Sequence, residues 1–233
     1  MKNEKCVFFL PTRKGSQRVK DKNTRPFAGI EGGLLENKLQ QLVGIRGVDE
    51  IILSTNDEKC VQIASKYLSV VPNLRIVTRP DGLCLDTTNL LDLIKYVPTI
   101  TDAEHIIWGH VTTPMADAET YGEALELYWE KRKAGYDSLV GVVELRNFLL
   151  DEGGAQINNS TGLSWPRTQD LSPLYEINHT VFIASKETYV RQGNRLGEHP
   201  FLYVMDKVKS YDVDWIDDFM MAELMYGHLH STK

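Results

Sequence analysis

The chain has 233 residues and a net charge of −6, with 42% hydrophobic and 25% charged side chains. That length suits one large domain, or one domain with an insertion, and it can bury a core without a disulfide or metal staple. The even composition excludes disorder and collagen-like repetition, and an acidic chain is a poor partner for DNA or an anionic membrane surface. The three cysteines Cys6, Cys60 and Cys84 are far apart with no C-x-x-C spacing, and read as reduced, buried thiols of a cytoplasmic protein. The apolar run 7–10 is too short for a signal peptide, and no stretch approaches the roughly 18 apolar residues of a membrane span. Neither nucleic acid nor membrane is an expected partner.

Residues 6–10 read as a first strand ended by Pro11, followed by a helix over 33–43 and a strand over 51–54. A helix over 58–68, a strand over 74–77, a helix over 90–97 and a strand over 105–108 continue the pattern. A long amphipathic helix over 120–133 leads to a strand over 138–143. Strands alternating with helices predict an α/β fold with a mainly parallel sheet flanked by helices. Ligands bind such sheets beyond the carboxyl ends of the strands, so the strand-to-helix loops are where chemistry is sought. The rhythm breaks over 144–174, a stretch too long for a structureless connection unless it is functional or forms an excursion. Strands over 180–184 and 202–205 and a helix over 216–229 close the chain.

The first loop carries the strongest chemical signal. Residues 13–25 hold six basic side chains (Arg13, Lys14, Arg18, Lys20, Lys22 and Arg25) against one acid, Asp21. Gly15 and Ser16 would let backbone N–H groups turn inward as an anion-binding nest, with forked and point-charge cations around a polyphosphate. A solvated surface loop and a nucleic-acid patch are the competing readings. Neither the P-loop pattern nor G-x-G-x-x-G is present. Near the other end, Asp212 and Asp214 stand two apart. An extended backbone would point both to one side, where adjacent like charges favour a hard divalent cation. Asp217 and Asp218 read instead as charges stabilising the start of the last helix. A basic loop and a carboxylate pair share one site most simply through a Mg²⁺–nucleoside triphosphate. His228 and His230 read as tail residues, and Trp108, Tyr128 and Trp129 as core.

The segment 10–23, LPTRKGSQRVKDKN, resembles the N-terminal signature of the acylneuraminate cytidylyltransferases, the CMP-sialic acid synthetase family. Further segments follow in that family's order: 49–57, Thr78-Arg79-Pro80 with Asp86-Thr87, His110-Val111-Thr112-Thr113-Pro114, and Tyr211-Asp212-Val213-Asp214 through Glu223. The likeness spans about residues 5–226. It implies a Rossmann-like nucleotidyltransferase fold. It also implies a reaction in which the anomeric hydroxyl of a 2-keto sugar acid attacks the α-phosphate of CTP and pyrophosphate leaves. By matching position, Arg13, Gly15, Ser16, Lys22 and Asn23 would hold the triphosphate, and Arg79, Asp86 and Thr87 the nucleotide. His110, Thr112, Thr113, Arg167 and Asn178 would line the sugar side, and Asp212 and Asp214 would carry Mg²⁺. Arg13, Lys22, Asp212 and Asp214 are the implied catalytic groups.

The resemblance also makes 144–178 an inserted dimerisation segment, set in an α/β domain formed by 1–143 and 179–233. Homodimerisation is then expected, with Trp165, Leu171 and Tyr175 as apolar anchors. Four positions depart from the family pattern. Gln17 stands where many members carry a lysine, a loss that Lys14, Arg18 or Lys20 would have to offset. Leu85 replaces a small or hydroxyl residue beside the base. His110 replaces a glutamine, so its hydrogen bonding is expected to become pH-sensitive. Glu176 replaces an arginine before Asn178, which points the acceptor toward a related nonulosonic acid such as legionaminic or pseudaminic acid. A nucleotidyltransferase for another nucleotide or for 3-deoxy-manno-octulosonate, and a non-catalytic nucleotide-binding scaffold, remain as alternatives.

Overall fold

The computed structural model describes residues 4–231. Strand β1 (Cys6–Pro11) is buried along both faces, Cys6, Phe8 and Leu10 on one and Val7 and Phe9 on the other, so it reads as a continuous apolar run. It pairs in parallel with β2 (Glu50–Thr55) on one side and β4 (His105–Gly109) on the other, and β3 (Leu74–Thr78) pairs in parallel with β2. Beyond β4 lie β6 (Leu174–Ser185), β5 (Ser138–Leu145) and β7 (Pro200–Val204), giving the order β3-β2-β1-β4-β6-β5-β7. Only β6 runs against its neighbours; the β5–β7 pair is parallel. The mainly parallel sheet therefore has one reversed strand.

Helices α1 (Gly33–Gln41), α2 (Glu58–Ser65), α4 (Ala118–Lys133) and α6 (Ile216–His230) cover one face. The other face takes α3 (Leu90–Tyr96) and α5 (Lys186–Gln192). Local chemistry sets where helices start: Asp57, Asn89, Asp117 and Ser185 each accept an N–H of the first turn of α2, α3, α4 and α5. For α6 the Asp218 carboxylate accepts from the N–H groups of Asp214 and Trp215, at 3.1 and 2.7 Å, the capping role expected of it.

Two elements differ from the sequence reading. Helix α5 was not expected, because seven residues hold too little periodicity to register. Strand β6 begins at Leu174 rather than 180: its first half pairs only with β5 and exposes Tyr175, Glu176 and Ile177, so no buried face marks it. Pairing between β5 and β6 thus continues through Glu144–Tyr175 and Leu145–Leu174. Between them the excursion is tied by its own polar groups. Asn158, buried, accepts from the Leu149 N–H at 3.3 Å and donates to the Asn147 carbonyl at 2.8 Å, and Asp151 accepts from Gly153 and Ala155. Leu171 is buried within this chain, whereas Trp165 is 77% exposed and Tyr175 42%. All three cysteines are buried and unpaired. Among the described residues no helix is long and apolar enough to cross a membrane.

Candidate active site

The chain moves outward from β1 through β2 and β3, then returns to the far side of β1 with β4. That reversal opens a crevice at the carboxyl ends of β1 and β4, the position where open α/β sheets take ligands. A cleft of about 270 Å³ lies there, lined by Arg13, Ser16, Arg18, Lys22, Asn23 and Arg79 from one side and by Trp108, His110 and Thr112 from the other. The basic loop and the loop after β4 therefore share a wall. A larger cavity of about 830 Å³ sits around Lys5, Asp49, Glu50 and Arg75. There Arg75 pairs with Glu50 at 2.5 Å and Asp49 accepts from the Cys6 N–H.

The basic loop is held by its own backbone and by buried donors. Gly15 adopts φ +82° with open space where a Cβ would stand. Gly33, where the loop enters α1, has φ +67° and a Cβ there would meet the Arg25 carbonyl, so only glycine fits. Arg79, 3% exposed, donates to the Thr12 carbonyl and contacts Cys84 Sγ, which makes it a strut under the loop as well as a cleft residue. Asn23 is buried and donates to the Arg13 carbonyl at 3.3 Å. Arg13 pairs with Asp86 at 2.5 Å, and Gln17 donates to the same carboxylate at 2.8 Å. Thr87 and Leu85 are exposed, and neither lines the cleft.

The two ends of the chain meet through Lys22. Its ammonium donates to the Val213 carbonyl at 2.7 Å and lies 3.6 Å from Asp214, which also pairs with Arg18 at 2.9 Å. Burial lowers the Lys22 pKa, and Asp214 and Asp212 oppose that shift. The Val213 N–H donates to the Thr112 carbonyl at 2.8 Å, which seats the aspartate segment on the loop after β4. Asp212 Oδ1 is buried with no hydrogen-bond partner among the described residues, and burial raises the Asp212 pKa. Asp214, paired with the cleft cations Arg18 and Lys22, and Asp212, with its orphaned oxygen, are a donor set that would suit a hard divalent cation. No cluster of three or more His, Cys, Asp or Glu side chains able to hold a metal occurs among the described residues.

The expected sugar side is assembled only in part. His110 and Thr112 line the cleft, but Thr113 is fully buried, its hydroxyl donating back to the His110 carbonyl at 3.1 Å. Asn178 is buried against Gly141, accepts from the Thr180 N–H at 3.0 Å, and leaves its Nδ2 unpartnered. Arg167 is exposed in the excursion and forms a two-pronged pair with Asp170 at 2.8 and 3.0 Å. Neither Arg167 nor Asn178 lines the cleft.

His110 departs from expectation in a way its surroundings explain. Nδ1–H donates to the His179 carbonyl at 2.6 Å and Nε2 accepts from the Trp108 indole at 3.1 Å, so both ring nitrogens are engaged and the neutral tautomer is fixed. Burial, with the Arg195 guanidinium nearby, pushes its pKa down to about 3. The ring is therefore not a switch near neutral pH. The unfolded chain binds a proton near the ordinary 6.5, so stability should fall as pH drops from 6.5 toward 3. At pH 5 this contribution is about 1–2 kcal/mol. His110→Gln is expected to flatten the loss of Tm between pH 7.5 and 5 by several degrees; parallel curves for the two proteins would contradict it.

Three residues of this neighbourhood escaped the sequence reading. Arg195 lies over Phe182 and Trp108, its carbon 3.7 and 4.8 Å from their ring centroids, with no ion pair among the described residues. His179 takes φ +57° to present its carbonyl to His110. Lys38, fully buried on α1, donates to the carbonyls of Thr113 and Ala116 and to the Tyr121 hydroxyl. Each acts through contacts distant in sequence, and no local pattern marks it.

A family model described as cytidylyltransferase matches residues 7–218. This chain belongs to the cytidylyltransferase family. An N-acylneuraminate cytidylyltransferase of Streptococcus agalactiae serotype III is 28% identical over 242 residues, covering 97% of this chain and 53% of that protein. The chain thus spans about half the length of the streptococcal relatives it matches. A pseudaminic acid cytidylyltransferase of Campylobacter jejuni is 23% identical over 236 residues, covering 98% of this chain and 99% of that one. Among solved structures, a CMP:2-keto-3-deoxy-manno-octonic acid synthetase complexed with CTP superposes with a TM-score of 0.67 at 12% identity, covering 97% and 99% of the two chains. The Rossmann-like nucleotidyltransferase architecture of this chain is the one the family resemblance implied.

Proposed function

We propose that this cytidylyltransferase couples CTP to the anomeric hydroxyl of a 2-keto sugar acid of the nonulosonic class, releasing pyrophosphate and a CMP-sugar. The observation that carries this reading is the convergence at one cleft of the basic loop and the Asp212–Asp214 pair, joined by Lys22. Phosphoryl chemistry of this kind asks the protein for alignment and charge stabilisation rather than covalent work. Arg13, Ser16, Lys22 and Asn23 line the part of the cleft suited to a triphosphate, and Arg79 braces the loop that carries them. Asp212 and Asp214 are the residues that would hold Mg²⁺, which when bound offsets charge on the phosphate oxygens. Lys22, fixed between the Val213 carbonyl and Asp214, keeps a cation beside the reacting phosphate and the aspartate segment in place. His110 and Thr112 form the wall nearest the acceptor, with His110 neutral and so adding no charge there.

The relatives named for N-acylneuraminate and pseudaminic acid support a nine-carbon acceptor. Exposed Trp165 and Tyr175 support the docking of the 144–178 excursion on a second copy. The proposed use of CTP supports a cytoplasmic location. The test is pyrophosphate release with CTP and Mg²⁺ against sialic, legionaminic, pseudaminic and 3-deoxy-manno-octulosonic acids, with and without chelator. Chelator-sensitive release with a nine-carbon acid is the expected result. Strong preference for a purine nucleotide, or release that chelator leaves untouched, would overturn the proposal.

A further inference from the structure

Four cations line the cleft, and they are not equivalent. Arg79 is buried, with its donors on the Thr12 carbonyl and Cys84 sulfur. Arg13 is held by Asp86 and by the Cys84 carbonyl. Lys22, whose side chain is 14% exposed, is anchored on the Val213 carbonyl. Arg18 differs from all three. Its side chain is 48% exposed, its only ion-pair partner among the described residues is Asp214 Oδ2 at 2.9 Å, and its guanidinium rests over the Trp215 ring, 5.1 Å from the centroid. The residue beside it, Gln17, has its amide committed to Asp86 and to the Gly15 carbonyl. Lys20 lies in a separate depression with Asp21, Thr24 and Lys59, and Lys14 is exposed outside the cleft.

We propose that Arg18 is a partner-switching residue: it neutralises Asp214 while the carboxylate pair is free, and turns its guanidinium to the phosphate tail of the nucleotide when Asp214 engages a divalent cation. The inference rests on the cytidylyl-transfer reading of this cleft. The guanidinium holds Asp214 Oδ2, so a divalent cation engaging the same carboxylate would compete with it, and binding of one would weaken binding of the other. Once released, the guanidinium is an exposed forked donor at the mouth of a site for a polyanion, the geometry in which arginine binds phosphate best. The aromatic ring of Trp215 keeps it near that mouth in either state without a directional bond that would have to break.

Competition predicts effects of opposite sign. Mn²⁺ titrated into nucleotide-free protein is expected to bind Arg18→Gln at least roughly threefold tighter than wild type, because a competitor for Asp214 is gone. With Mg²⁺ present, the same variant is expected to lose about tenfold in affinity for CTP and less than about twofold for CMP, which lacks the tail. Arg18→Lys should recover part of the CTP affinity, since it keeps a charge without the fork. Unchanged or weaker Mn²⁺ binding by Arg18→Gln would overturn the switch, as would equal losses for CTP and CMP. Wild-type protein that binds CTP alongside an indistinguishable variant would sink the switch alone. Wild-type protein that binds no CTP would remove the cytidylyl-transfer reading and the switch with it.

Discussion

Asp212→Asn is expected to cut cytidylyl transfer by on the order of 10²–10³ or more while leaving Tm at or above that of the wild type. The two halves of that expectation have one origin. Asp212 Oδ1 is buried without a hydrogen-bond partner, so in the free protein the carboxylate is a cost to folding rather than a support. An amide of the same shape removes the buried charge and relieves that cost. It also removes one of the two carboxylates that suit the site to a divalent cation, leaving Asp214 alone with Arg18 and Lys22. A steady-state assay beside a thermal melt checks both halves. Turnover equal to wild type would remove Asp212 from the reaction. A collapse in Tm would make its charge structural instead.

Lys38→Met is expected to lower stability by about 3 kcal/mol, a fall in Tm of roughly 6–12 °C for a chain of this size. Lys38 is fully buried, and burial pushes its pKa down to about 7 against the pull of Asp117. Its ammonium donates to the Thr113 and Ala116 carbonyls and to Tyr121, while Asn37 donates to the Pro114 carbonyl from the same helix. A methionine fills similar volume but takes a buried donor from the Ala116 carbonyl and the Tyr121 hydroxyl, and leaves the Thr113 carbonyl with the Ala116 N–H. The loop they belong to carries His110 and Thr112 into the cleft, and its Thr112 carbonyl seats Val213 beside the aspartates. The acceptor KM should therefore rise along with the loss of stability. A Tm within about 2 °C of wild type would show that the loop holds its shape without Lys38.

Much of this molecule was legible in its sequence because the signals are local. Short apolar runs such as 6–10 and 105–108 marked strands, their alternation with helices marked a mainly parallel sheet, and six cations within 13–25 marked a cation cluster in an acidic chain. The two-residue spacing of Asp212 and Asp214 singled them out as a pair, and Asp218 read correctly as a helix-start charge. The tertiary structure decided everything that depends on which distant groups share a buried volume. It joined Lys22 to Val213, 191 positions away, and made Arg18 rather than Lys14 or Lys20 the open cation of the cleft. It turned Thr113 inward, placed Arg167 on Asp170 outside the cleft, and engaged both nitrogens of His110. Charge type and spacing are written along the chain. Desolvation and partner choice are not, because they arise only when segments far apart in sequence exclude water from the same space.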